Sequence, residues 1–128
     1  MLDIKFIRDN KDIIALGAKK KHVVFDVNVL IGVDDKRKEL LTSIEKKRAE
    51  QNKVSETIAT SPNKGEILDT MRVLKAELQK EEEELKTVMK EWQTLMLQVP
   101  NIPDMSVPDG ASDAENLEVK TWGDKTAF

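Results

Sequence analysis

Apolar residues recur through the middle of this chain at alternating steps of four and three. Leu40, Ile44, Lys47, Gln51, Val54 and Ile58 form one series, with two polar members. Ile67, Met71, Leu74, Leu78, Glu81, Leu85, Val88, Trp92, Leu95 and Val99 form a second, in which only Glu81 is polar. Such spacing is the heptad seam of paired α-helices. Between the two series lies SPNKG, Ser61 to Gly65, where Pro and Gly break the helix and Ser and Asn favour a turn. From Glu66 to Val99 neither Gly nor Pro occurs, as a long helix requires. Two seamed helices on a short loop fold back on each other. The pattern therefore predicts an antiparallel coiled-coil hairpin over about residues 34–99, with its turn near 61–65 and Asp34 or Asp35 as the first helix cap. Each arm should be about 40–50 Å long at 1.5 Å per residue.

Fold-back also predicts a register. With the turn centred between Pro62 and Asn63, facing seam residues have numbers that sum to about 125. Ile58 then meets Ile67, Val54 meets Met71 and Leu40 meets Leu85. Lys47 faces Leu78, with Glu81 one layer away, so the two seam charges can reach each other diagonally. A mispaired hairpin would strand either charge in an apolar layer, which makes the pair a register device.

The flanks of the hairpin read differently. Residues 1–33 suggest short helices: Asp3 can cap the first, Asn10 a second that ends in Lys19, Lys20 and Lys21, and Asp26 a third carrying Val27, Leu30 and Ile31. Phe6 and Phe25 would join these in a small core. From Pro100 the segment PNIPDMSVPDG holds three prolines, so helix cannot continue. Ile102, Met105 and Val107 could fasten this strap to a neighbouring surface, and a short strand is possible at Leu117–Trp122. The organisation expected is an all-α domain over 1–99 followed by an extended linker over 100–128.

Composition narrows the chemistry. The 128 residues contain no Cys, one His (His22), two Trp and three Phe. No thiolate, disulfide or His-based metal site can be built from them. No phosphate loop or dinucleotide fingerprint is present among the scattered glycines. No apolar run reaches a membrane span, and the charged start is not a signal peptide, so the cytosol is the expected compartment. Neither a catalytic residue nor a cofactor is expected within these residues. The acidic run Glu81–Glu84 reads as a solvated helical face, and Trp92, on the seam, as core rather than a base-stacking platform.

The net charge of −3 argues against nucleic acid until it is divided. Residues 46–75 carry Lys46, Lys47, Arg48, Lys53, Lys64, Arg72 and Lys75 against Glu50, Glu56, Glu66 and Asp69, a net of +3. Residues 76–99 net −3, and the last 29 residues net −4. A basic tip on a protruding arm suits a phosphate backbone.

These pieces together resemble the N-terminal arm domain of seryl-tRNA synthetase, over essentially the whole chain. The resemblance is carried by the opening MLDIKFIRDN, by Asp34, Arg37 and Leu40–Leu41, by RAEQNKVS (Arg48 to Ser55), by VPNIPDMSVPDG (Val99 to Gly110), and by Asn116, Val119, Trp122 and Gly123. It implies that the hairpin binds the long variable arm and elbow of serine tRNA, reading backbone and shape, as A-form RNA requires. Individual RNA contacts do not transfer from the family, whose arms vary in where their basic residues stand; the basic tip itself gives the expected RNA-binding set of Lys46, Arg48, Lys53, Lys64, Arg72 and Lys75, with Asn52 as a hydrogen-bond donor and Lys47 set apart by its seam position. Thr57 and Thr60 depart from the more charged tips of the family and shorten the expected contact surface.

In the family, ATP- and Mg-dependent serylation and homodimerisation belong to a class II catalytic domain, whose motifs are absent from this sequence. The piece alone is thus expected to be inactive, and monomeric or weakly self-associating. A structural or chaperone-like interaction hairpin explains the heptads equally well, though not their combination with PNIPD and a basic tip. A self-sufficient enzyme would have to show serine-dependent ATP–pyrophosphate exchange.

Overall fold

A computed structural model describes residues 1–127. Its elements are α1 (Ile4–Asp9), α2 (Lys11–Lys20), α3 (Val27–Ile58), α4 (Lys64–Gln98) and a 3-10 turn at Asp113–Glu115, with no strand among the described residues. The chain forms two compact units. One joins Met1–Val27 to Gln98–Phe128, and the other is Asn28–Leu97.

In the first unit, Asp3 caps α1 by accepting the Lys5 N–H. Asn10 stands at the start of α2 but makes no capping bond there. Its side-chain amide instead donates to the Phe6 carbonyl at 3.0 Å, closing α1. One residue serves both helix ends, and the earlier helix takes its side chain. The end of α2 is a Schellman motif: His22 N–H donates to the Lys19 carbonyl and Val23 N–H to the Ala18 carbonyl. His22 holds the left-handed position with φ 53°.

The buried residues of this unit are aliphatic and small: Ile7, Ile14, Gly17, Ala18, Val27 and Pro100. Phe6, expected in this core, is 40% exposed. The strap crosses α2 at Gly17, where a Cβ would lie 3.4 Å from the Pro103 ring. Of the three residues expected to fasten the strap, Met105 is 90% exposed, and Ile102 and Val107 are partly so. Backbone at Ile102 and the Pro103 ring make the approach instead. Farther along, Leu117–Trp122 is not a strand. Among the described residues there is no strand to take its hydrogen bonds.

The second unit is the hairpin. The third short helix and the cap at Asp34 are replaced by one continuous helix from Val27. Nothing between Asp26 and Asp34 breaks it, since Gly32 only weakens a helix. Asp34 is fully buried inside it. Arg37 donates to its Oδ1 through Nε at 3.0 Å and Nη2 at 2.7 Å, and the Lys38 ammonium lies 3.4 Å from Oδ2. The Arg37 guanidinium also sits 4.7 Å above the half-buried Trp92 ring. Core packing is therefore the role of Trp92, while Trp122 in the tail is 94% exposed.

The seam lies where the spacing placed it. From Glu45 to Ile58 the only residues that escape exposure are Lys47, Gln51, Val54 and Ile58. On α4, Leu74, Leu78 and Val88 of the series are buried; near the helix end the series departs by one residue, Met96 being buried and Leu95 only partly so. The turn differs by a few residues. Lys64 and Gly65 belong to the first turn of α4, so the break is confined to 59–63. Gly costs a helix little in its first turn, where the N–H groups have no helical partner anyway.

Candidate nucleic-acid interface

Lys46, Arg48, Asn52, Lys53, Lys64, Arg72 and Lys75 all occupy the distal half of the hairpin, and all are exposed. None lies in the seam. Lys47 is different. Its ammonium lies 2.7 Å from Glu81 Oε1 and 3.2 Å from Glu77 Oε2. Ser43 Oγ donates to the same Glu81 carboxylate, at 3.0 and 3.1 Å to its two oxygens. The hydrogen bond to Glu81 raises the Lys47 pKa above its ordinary value, against some desolvation, and Glu77 adds to the rise. The same bond, with help from Ser43, lowers that of Glu81. This cation is held inward by two carboxylates, one of them fixed in turn by the Ser43 hydroxyl. The diagonal Lys47–Glu81 contact follows from the predicted register, whereas Ser43 and Glu77 carry no seam signal and came only with the packing.

The remaining cations are not one cluster. Arg48 and Lys75, on different helices, line one groove with Gln51, Leu78, Gln79 and Glu82. Arg48 Nη2 donates to Glu82 Oε1 at 2.6 Å across the helices, with both side chains largely in solvent. Arg72 has a long 3.7 Å contact to Asp69 on its own helix, both about four-fifths exposed. Towards the base the groove continues over Leu41, Ile44, Leu85 and Met89, bordered by Lys86 and Lys90. Sequence reasoning passed over those two lysines because the stretch around them is acidic in sum. Lys46 and Lys53 border neither groove.

Chemically, the site offers guanidinium and ammonium donors on a rigid helical frame. It has no converging nucleophile and base. Among the described residues no three His, Asp or Glu side chains come together as metal ligands, and no helix is long and apolar enough to cross a membrane. Arginine forks and lysines on a helix pair suit phosphate oxygens.

Comparison with known proteins adds the following. The profile of the family described as "Seryl-tRNA synthetase N-terminal domain" matches residues 1–103. A serine–tRNA ligase of Carboxydothermus hydrogenoformans is 33% identical over the whole chain, which covers 31% of that relative. One from Borreliella burgdorferi is 38% identical over 96% of the chain and 30% of its own length. Among solved structures, the seryl-tRNA synthetase from Pyrococcus horikoshii complexed with ATP superposes with a TM-score of 0.78 at 27% identity, over 96% of this chain and 29% of that one. The chain thus spans about a third of the length of the relatives it matches.

Proposed function

The chain belongs to the family of seryl-tRNA synthetase N-terminal domains, and we propose that it is a tRNA-binding arm whose hairpin engages the long variable arm and elbow of serine tRNA. The observation that supports this best is the set of exposed cations on the distal half of a long hairpin whose stem and tail are acidic. A net-negative protein with a cationic surplus on one stretch of a protruding arm offers that stretch to an anion. RNA in the A-form conceals its major-groove edges, so phosphates, 2′-hydroxyls and shape are what such a surface can read.

In this reading the arm positions the tRNA. Serylation, with ATP and Mg, belongs to a class II catalytic domain in the whole protein, towards which residues 100–128 lead. Homodimerisation belongs to that domain too. The chain by itself charges no tRNA.

A titration tests the reading. Serine tRNA should bind the 128-residue chain more tightly than a tRNA with a short variable arm, and binding should weaken as salt is raised. Equal and salt-insensitive binding of both RNAs overturns it, as does no binding at about 0.1 mM, the weak end of non-specific affinity.

A further inference from the structure

The hairpin has two flanks, and its charges divide between them. At 3.6 residues per turn, the residue following a seam position points to one side of the seam and the residue preceding it to the other. In an antiparallel pair the followers of both helices share one flank. The Arg48–Glu82 contact fits this, since each residue follows a seam position, Lys47 and Glu81. So does the groove that Arg48, Lys75 and Gln79 line together.

Between residues 46 and 75 the follower flank carries Arg48, Arg72 and Lys75, with Asn52, and no acid. The preceding flank carries Lys46 and Lys53 against Glu50 and Glu66, and is locally neutral. Nearer the base the follower flank has Lys86 against Glu45 and Glu82, while the other flank carries Glu77, Glu84 and Glu91 against Lys80. A groove on the α4 side of that second flank is bordered by Asp69 and Glu77 and no cation.

We propose that RNA meets the hairpin on the follower flank alone, with Arg48, Arg72 and Lys75 on phosphates, and that Lys46 and Lys53 stand off the RNA. This rests on the tRNA-arm reading and deepens it by choosing one face of the arm. A phosphate backbone laid along the second flank would run against Glu50 and Glu66, with Glu77 beyond them already held by Lys47. On the follower flank the acids within reach are Glu82, which Arg48 already holds, and Asp69, in a long 3.7 Å contact with Arg72. A phosphate arriving there exchanges with Glu82 for the Arg48 guanidinium, so Glu82 opposes binding.

The test compares two double reversals with the same change in net charge, using serine tRNA and the 128-residue chain. R72E/K75E should lose about tenfold or more in affinity, and its log-affinity slope against log salt should fall by about 2. K46E/K53E should lose less than about threefold, the residual effect of long-range charge screened by salt. E82Q should bind more tightly than the unsubstituted chain, and E50Q should gain less than E82Q. Equal losses from the two reversals, or a larger loss from K46E/K53E, overturn the choice of flank while the tRNA-arm reading stands. Absence of binding by the unsubstituted chain overturns both. All four reversed side chains are exposed, so circular dichroism should match the parent. If R72E/K75E alone unfolds, R72Q/K75Q replaces it, with the same ordering against K46Q/K53Q expected.

Discussion

His22 holds the one positive φ of a non-glycine residue among those described. A left-handed backbone costs a side-chain-bearing residue about 1–2 kcal/mol. The Asp109 carboxylate lies 3.4 Å from the His22 Nε2, but both side chains are more than half exposed, which limits what that contact returns. His22→Gly should therefore stabilise the chain by about 0.5–1 kcal/mol in urea unfolding, since Gly is the usual residue at this helix end. A loss of stability would mean that the Asp109 contact outweighs the backbone strain.

Lys47 and Glu81 show a second residue-scale consequence. The folded-state pKa of Glu81 is depressed, so its contribution is present above the ordinary carboxylate value and lost as pH falls through the folded one. That of Lys47 is raised, so its contribution is present below the ordinary lysine value and lost only as pH rises through a still higher one. Between these limits the pair is intact. Thermal melts should fall on the acid side of the ordinary Glu range, and Glu81→Gln should lower the neutral-pH melting temperature and flatten that acid limb. A limb unchanged in Glu81→Gln would assign the acid sensitivity elsewhere.

At the scale of elements, two helices with one seam have no second layer to compensate for damage. Leu78 is 6% exposed and lies beside the Lys47 cluster in the predicted register. A carboxylate there would be buried with Lys47 already occupied by Glu77 and Glu81. Leu78→Asp should open the hairpin, seen as lost helical ellipticity at 25 °C, while Leu78→Ala should cost about 2–5 kcal/mol and leave it folded. Unchanged ellipticity and stability in Leu78→Asp would show the seam to be elsewhere. The helices themselves were legible because a heptad repeat over several turns is strongly periodic. The start of α3 was not. Asp is a good cap, and only packing reveals that Asp34 lies inside a helix, neutralised by Arg37 and Lys38. Likewise the short motif at Asn10 matched a cap, but two helix ends competed for one amide.

At the scale of the molecule, charge is arranged by segment and then by flank. A total of −3 conceals a tip with a net of +3, and within that tip the surplus sits with Arg48, Arg72 and Lys75. The seven candidate contacts were readable as a group because they are crowded in the sequence. Their division was not read, since it depends on which side of a shared seam each faces.

The strap shows the same limit: the prolines after Val99 announced an end to helix, and the apolar Met105 suggested an anchor. The contact that forms is between Gly17 and Pro103, far apart in sequence and matched only in shape. By itself, then, the sequence determined the helices, the fold-back, the register and the segmental charge, because periodicity, breakers and composition are local properties of a chain. The stacking of Arg37 on Trp92 above the buried Asp34, the addition of Ser43 and Glu77 to the Lys47–Glu81 pair and the crossing at Gly17 were decided by tertiary structure. Each depends on which atoms from distant residues come within about 3–5 Å, and no local pattern encodes that distance.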